Sequence, residues 1–164
     1  AHKKMTELEC KVYASLYDVD TVCLRYFNVY SEDQKYGGAY STAISAWLEM
    51  IRRNNPLRLD GDGNQTRDFI HVDDIIDANL HCMSHEKDFN GEVYDVGTGQ
   101  SCSLIEIKDH IDNIYDVTWD LQPERPGDIK DSRAEISKLE NLGWKAQINL
   151  ETGLRRCLAS VGNK

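Results

Sequence analysis

LRLDGDGNQTRDFIHVDD, Leu57–Asp74, passes from one kind of structure to another with a charged loop between. Leucines alternate with polar residues over Leu57–Asp60, the period of a strand with one buried face. Gly61 and Gly63 follow, and glycine admits positive φ and lets backbone approach a ligand closely. The loop ends at Arg67, whose planar fork of donors suits a phosphate. Phe69 and Ile70 then lead into a helix whose first turn carries Asp73 and Asp74. A helix N-terminus favours negative charge, so both aspartates read as capping residues.

Outward from that stretch the chain alternates helix and strand. Met5, Leu8, Val12 and Leu16 mark a helix over Lys3–Tyr17 that begins without a cap, as though entered partway. Thr21–Tyr30 is mostly apolar without clean alternation, as expected of a strand buried on both faces of a parallel sheet. A helix feeding such a strand is half of a βαβ unit. Ser31–Gly38 is a polar loop, and Ile44, Trp47, Leu48 and Ile51 place a helix over Ser41–Arg53, stopped by Asn54, Asn55 and Pro56. The next helix, Val72–His85, carries Ile76, Asn79, Leu80 and Met83 on one side. Glu92–Val96 is a strand closed by Gly97, Thr98 and Gly99. Ser103 and Glu106 form a capping box ahead of a helix marked by Leu104, Ile107, Ile111 and Ile114. Val117–Gln122 reads as a strand, Pro123–Asp128 as a rigid loop, and two short helices, Arg133–Leu142 and Asn149–Val161, flank Gly143 and Trp144. The fold class is α/β with a parallel sheet.

The 164 residues suffice for one domain with a substantial core. A formal net charge of -9 argues against nucleic acid or an anionic membrane as the main partner, so any anion site is local. Five cysteines, 10, 23, 82, 102 and 157, form no C-x-x-C pair and are odd in number, which fits a reducing cytoplasm. No apolar run approaches the roughly 18 residues of a membrane span, and no signal peptide is recognisable. His81 and His85 share a helix face, but no Glu follows His81 and no third ligand is suggested, so they read as surface histidines. The chain contains no G-x-G-x-x-G turn, P-loop or nucleophile elbow. Arg67 and Arg125 each sit on a loop beside glycine or proline. Converging, they could hold a diphosphate; apart, they would be two solvated arginines, and spacing does not choose between these.

Leu24–Tyr30 (LRYFNVY), Gly61–Asp74 (GDGNQTRDFIHVDD), Tyr94–Gly97 (YDVG), Arg125–Asp128 (RPGD) and Leu142–Trp144 (LGW) together resemble the successive motifs of nucleotide-sugar epimerases and dehydratases, the extended short-chain dehydrogenase/reductases. The resemblance covers the whole chain and corresponds to the C-terminal half of such an enzyme. It implies the C-terminal part of a Rossmann-like parallel sheet plus a small mixed α/β substrate-binding domain. Residues 1–30 would be the last helix and strand of the NAD-binding domain, and 31–164 the substrate domain.

Aligned with the family's Y-x-x-x-K-x-x-x-E pattern, Glu7 is the glutamate and Lys3 the active-site lysine, with the catalytic tyrosine expected two residues ahead of Ala1. The resemblance implies that Lys3, Tyr26 and Phe27 border the NAD cofactor. It implies that Asn28, Ser41 and Thr42 contact diphosphate and sugar, that the backbone of Arg58 and Asp60 reads the uracil edge, that Arg67 and Arg125 clamp the diphosphate, and that Asp128 binds ribose hydroxyls. Ser132 stands where a small residue near the sugar's C2 substituent admits N-acetylhexosamines, and Gly37–Ser41 (GAYS after Gly37) looks like the same subgroup. Two departures are Ser31–Gln34 in place of G-P-R-Q, and Asp60 where many relatives carry an aromatic residue.

The expected function is therefore that of the C-terminal piece of an NAD-dependent UDP-sugar 4-epimerase acting on UDP-N-acetylhexosamine, inactive alone, with no metal. The alternatives are a non-catalytic sugar-nucleotide-binding or dimerisation module, and a 4,6-dehydratase or decarboxylase piece. A UDP-sugar and a second copy, forming a homodimer, are the expected partners.

Overall fold

The computed structural model describes residues 2–35 and 42–161. The first helix, α1 (His2–Tyr17), leads to β1 (Val22–Tyr26) and β2 (Asn28–Tyr30), which share the segment expected to be one strand. The break falls at Phe27, whose N–H donates to the carbonyl of Val96 at 3.1 Å. β1 pairs in parallel with β6 (Glu92–Val96), and β2 in parallel with β5 (Phe69–His71). β3 (Leu57–Asp60) pairs in parallel with β8 (Trp119–Gln122), while the short β4 (Thr66–Arg67) and β7 (Cys102–Ser103) pair antiparallel. The helices between are α2 (Ala43–Arg52), α3 (Val72–Ser84), α4 (Leu104–Asp112), α5 (Ser137–Glu140) and α6 (Leu150–Val161). Parallel pairs linked through helices make this an α/β fold.

Two cores meet at β5. Successive strand residues face opposite ways, so Phe69 joins a core with Tyr30, Trp47, Leu57, Ile107 and Leu158, while Ile70 joins another with Ile75, Tyr94, Val96 and Trp144. The capping box at α4 is present: Ser103 Oγ accepts from Glu106 N at 3.2 Å, and Glu106 Oε2 accepts from Ser103 N at 2.7 Å.

Three expectations fail in an instructive way. β1 is not buried on both faces: Arg25 and Tyr26 are exposed, and among the described residues β1 pairs with β6 alone. The apolar stripe of α1 points outward, with Leu16 70% exposed and Met5, Leu8 and Val12 about half-exposed. Its covered side carries Glu7, which accepts from Arg25 Nε at 2.6 Å and from Arg25 Nη2 at 2.8 Å. α3 repeats the pattern: Ile76, Leu80 and Met83 face solvent, and Asp74, Ile75, Ala78 and Cys82 face the core. Period identifies residues that share a face; it does not say which face is covered.

The third concerns helix ends. Arg133–Leu142 yields only the single turn of α5, and the residues ahead of it are anchored by contacts outside a helix: Arg133 Nε donates to Gly99 O at 2.6 Å and Ala134 N to Asp68 Oδ2 at 3.1 Å. Nor are Asp73 and Asp74 caps. The N-cap of α3 is His71, whose Nδ1 accepts from Asp73 N at 3.2 Å. Asp74 instead accepts from Gln147 N and Ile148 N at 2.9 and 3.0 Å, tying α3 to the segment before α6.

The docking of α1 on β1 is acid-sensitive. Hydrogen bonds from Arg25, then from Lys4, hold the Glu7 carboxyl at about 2, down from 4.5. A carboxylate favoured by folding adds stability that is present above its unfolded value and is lost as pH falls from there through the folded one. Acid therefore loosens α1 between about pH 4.5 and 2. Glu92, held at about 2 by Lys87, Tyr94 and Lys138, acts in the same interval. Melting temperature measured across it should decline less steeply in Glu7→Gln than in the parent chain. Equal slopes would contradict the assignment.

Candidate functional site

A cleft of about 700 Å³ opens between α2 on one side and β3, β4 and the Pro123–Asp128 loop on the other. Thr42 caps α2, its hydroxyl accepting from Ser45 N at 3.3 Å. The inward stripe of α2 then lays Trp47 against β3, where its Nε1 donates to the Arg58 carbonyl at 2.7 Å. Met50, Pro56, Phe69 and Leu104 add to the apolar lining.

Charges occupy the rim and ends. Arg67 is well fixed: Nη1 donates to Thr66 O and Nη2 to Asp128 Oδ1, each at 2.8 Å, with 17% of the side chain exposed. Arg125 pairs with Asp60 Oδ2, and Arg58 Nε donates to Asp60 Oδ1 at 2.7 Å. Arg58, Arg67 and Arg125 thus share the lining with Asp60, Asp120 and Asp128, three charges of each sign. A guanidinium engaged only by a carboxylate can exchange it for phosphate oxygens of similar geometry.

Behind Arg67 stands a buried lock. Asp68 is wholly buried, and its carboxylate accepts from Thr98 N at 2.9 Å, Thr98 Oγ1 at 2.7 Å, Gly99 N at 2.9 Å and Ala134 N at 3.1 Å. Its carbonyl accepts from Asn28 N at 3.0 Å and Asn28 Nδ2 at 2.9 Å. Gly97 approaches so closely that an added Cβ would lie 2.4 Å from Ala134 Cβ and 2.9 Å from Asp68 Oδ2. The carboxylate of Asp68 therefore ties the strand that aims Arg67 to the Gly97–Gly99 turn and to Ala134, while its carbonyl holds Asn28 at the start of β2.

Of the residues singled out from sequence, Asn28, Thr42, Arg58, Asp60, Arg67, Arg125 and Asp128 all line this cleft, so the two loop arginines, left open by spacing, share one pocket. Ser41 and Gly37–Tyr40 lie outside the described residues. Ser132 is not in the lining; its N–H donates to Thr66 O at 3.2 Å, which sets it beside the strand of Arg67. Lys3, Tyr26 and Phe27 sit elsewhere. Glu7 meets Arg25 and the carbonyl of Cys10 accepts from Thr21 Oγ1 at 3.0 Å, so α1 runs against the direction of β1 and its first turn lies toward the carboxyl end of β1. Tyr26, half-exposed there, donates to Asn79 Oδ1 at 2.9 Å. Ligands of open α/β sheets bind at the carboxyl ends of strands, and these three residues lie toward that end of β1.

Sequence reading missed Trp47, Gln65 and Asp120 as lining residues. Trp47 had a signal, its place on the apolar stripe of α2; Gln65 and Asp120 had none. Among the described residues no group of three or more His, Cys, Asp or Glu could hold a metal, and no helix is long and apolar enough to cross a membrane. His81 Nε2 lies 2.9 Å from the carbonyl of Leu142, and His85 Nδ1 accepts from Lys87 N at 3.0 Å.

Comparison with known proteins gives a consistent result. Residues 1–97 match the NAD dependent epimerase/dehydratase family. A candidate UDP-glucose 4-epimerase of Methanocaldococcus jannaschii is 34% identical over 98% of this chain and 52% of its own length. The crystal structure of UDP-glucose 4-epimerase from Thermotoga maritima with UDP-glucose is 30% identical, with a TM-score of 0.86 over 96% of this chain and 50% of that one. UDP-N-acetylglucosamine 4-epimerase from Methanobrevibacter ruminantium, in complex with UDP-N-acetylmuramic acid, is 32% identical, with a TM-score of 0.84 over 94% of this chain and 50% of that one. The chain spans about half the length of the curated relatives it matches.

Proposed function

Since the chain belongs to the NAD dependent epimerase/dehydratase family, we propose that it supplies the sugar-nucleotide-holding half of an NAD-dependent UDP-sugar 4-epimerase, with a UDP-N-acetylhexosamine as substrate. The observation that carries this reading is the cleft in which Arg67 and Arg125 both stand. The fixed fork of Arg67 and the reach of Arg125 hold the two phosphates, Asn28 and Thr42 contact diphosphate and sugar, Ser41 does the same, and Asp128, once released by Arg67, takes the ribose hydroxyls. The backbone of Arg58 and Asp60 meets the base. Ser132, small and beside the strand of Arg67, leaves room for an acetamido group; the Methanobrevibacter ruminantium relative supports that choice.

Residues 1–30 belong, on this reading, to the nucleotide-binding domain and 31–164 to the substrate domain. Lys3, Tyr26 and Phe27 would border a bound nicotinamide, which would supply hydride removal from the sugar's C4 and its return. Calorimetric titration with UDP-N-acetylglucosamine and UDP-glucose tests the proposal. The acetamido sugar should bind the tighter of the two. Binding of neither, or a preference for glucose, would contradict it.

A second reading, association of two copies, is favoured by the open apolar faces. Met5, Leu8, Val12 and Leu16 on α1 form a stripe of the kind that marks an interface. We propose a homodimer through α1. Sedimentation should show dimer for the parent chain and monomer for Leu8→Glu with Leu16→Glu, melting unchanged at low concentration. A parent chain that stays monomeric would contradict the dimer.

A further inference from the structure

Each arginine that lines the cleft is engaged by a carboxylate. Arg67 is taken by Asp128, and a single carboxylate, Asp60, takes both Arg58 and Arg125. We propose that Asp60 is a latch: it occupies Arg125 until an anion bearing two linked phosphates draws that arginine away, so the cleft admits diphosphates and refuses monophosphates. The inference rests on the function proposed above and names the discriminating residue of that site.

The two partners are unequally held. Asp60 ends β3, its side chain is 9% exposed, and its backbone is pinned: Gln65 Nε2 donates to its carbonyl at 2.8 Å, and the next residue, Gly61, donates to Gln122 O at 2.9 Å. Arg125 extends from the loop with 65% of its side chain exposed. On exchange the arginine moves and the carboxylate stays. Arg58 remains on Oδ1 throughout, so Asp60 is never left a buried, unpaired charge when Arg125 departs. Leaving such a charge alone is what makes breaking a buried pair prohibitive.

The same balance decides which anions enter. A lone phosphate trades one carboxylate pairing for one phosphate pairing, close to an even exchange. Two linked phosphates reach Arg67 and Arg125 together: both carboxylate pairings are given up, but the second phosphate contact forms within an already bound molecule and carries no further association cost. Asp60 acts through Arg125 and is a positioning residue for the ligand.

Inorganic pyrophosphate and orthophosphate, titrated at low ionic strength into the parent chain, Asp60→Asn and Asp60→Glu, test the latch. The parent should bind pyrophosphate and show no measurable orthophosphate binding. Asp60→Asn should bind pyrophosphate about three- to fivefold tighter, the scale of one partly exposed ion pair, and should gain orthophosphate binding. Asp60→Glu, which keeps the carboxylate, should retain the parent's selectivity, an outcome that a merely structural role for Asp60 does not require. The latch is overturned by unchanged or weaker pyrophosphate binding in Asp60→Asn, by an Asp60→Glu that behaves like Asp60→Asn, or by no pyrophosphate binding at all. If these results hold while UDP-N-acetylglucosamine fails to bind, the latch stands and the sugar-nucleotide function falls.

Discussion

Arg67→Ala should weaken binding of a uridine diphosphate by about 1.5 to 3 kcal/mol, the range for a charged hydrogen-bonded pair, which raises Kd roughly ten- to a hundredfold. The effect is large because the side chain is mostly buried and its Nη1 is held by the carbonyl of Thr66, a contact it keeps when Asp128 gives way to phosphate. Removing it also leaves Asp128 unpaired, so a negative charge faces the incoming phosphates. Arg67→Lys should recover only part of the loss, since an ammonium cannot hold a carbonyl and a phosphate in one planar fork. Arg125→Ala should cost less, within about 1 kcal/mol, because water already screens much of that side chain. Calorimetry on the three variants checks the order; equal losses for Arg67→Ala and Arg125→Ala would contradict it.

Asp68→Ala should be the most destabilising change near the site. It removes the acceptor of four donors, Thr98 N, Thr98 Oγ1, Gly99 N and Ala134 N, of which Gly99 N and Ala134 N are buried. An unsatisfied buried donor costs about 1 to 3 kcal/mol; since the four are coupled, a total near 4 kcal/mol is expected, or a melting temperature lower by about 10 °C. Asp68→Asn should lose almost as much, because its amide group turns a donor toward donors. Diphosphate affinity should fall with it, since the strand that carries Arg67 is held by the same carboxylate. Chemical denaturation of both variants decides the matter. A parent-like midpoint for either would show that the lock does not hold the site.

Much of this architecture is legible in the residues. Glu92–Val96 and the Ser103 and Glu106 capping box are local patterns with local causes, and they form as read. The glycine loop at Gly61 and Gly63 is likewise local, and both glycines take positive φ. The arginines are legible only as a pair of possibilities. What brings them together is the parallel register of β3 with β8, which delivers the Pro123–Asp128 loop to the end of β3, and no short-range signal specifies that pairing. Asp68 and Asp74 look alike in the sequence, two aspartates near a helix start, yet each satisfies a backbone donor more than sixty residues away by spatial contact alone, Ala134 for one and Gln147 for the other. The outward stripes of α1 and α3 were hidden for the opposite reason: their period is correct, but coverage depends on what else packs there.

The central claim, that Arg67 and Arg125 grip one pyrophosphate, is tested most directly by a crystal structure of the chain with UDP. Phosphate oxygens should lie within hydrogen-bonding distance of both guanidinium groups, with Arg125 turned away from Asp60. UDP bound outside the cleft, or inside it with Arg67 still on Asp128 and Arg125 still on Asp60, would contradict the claim.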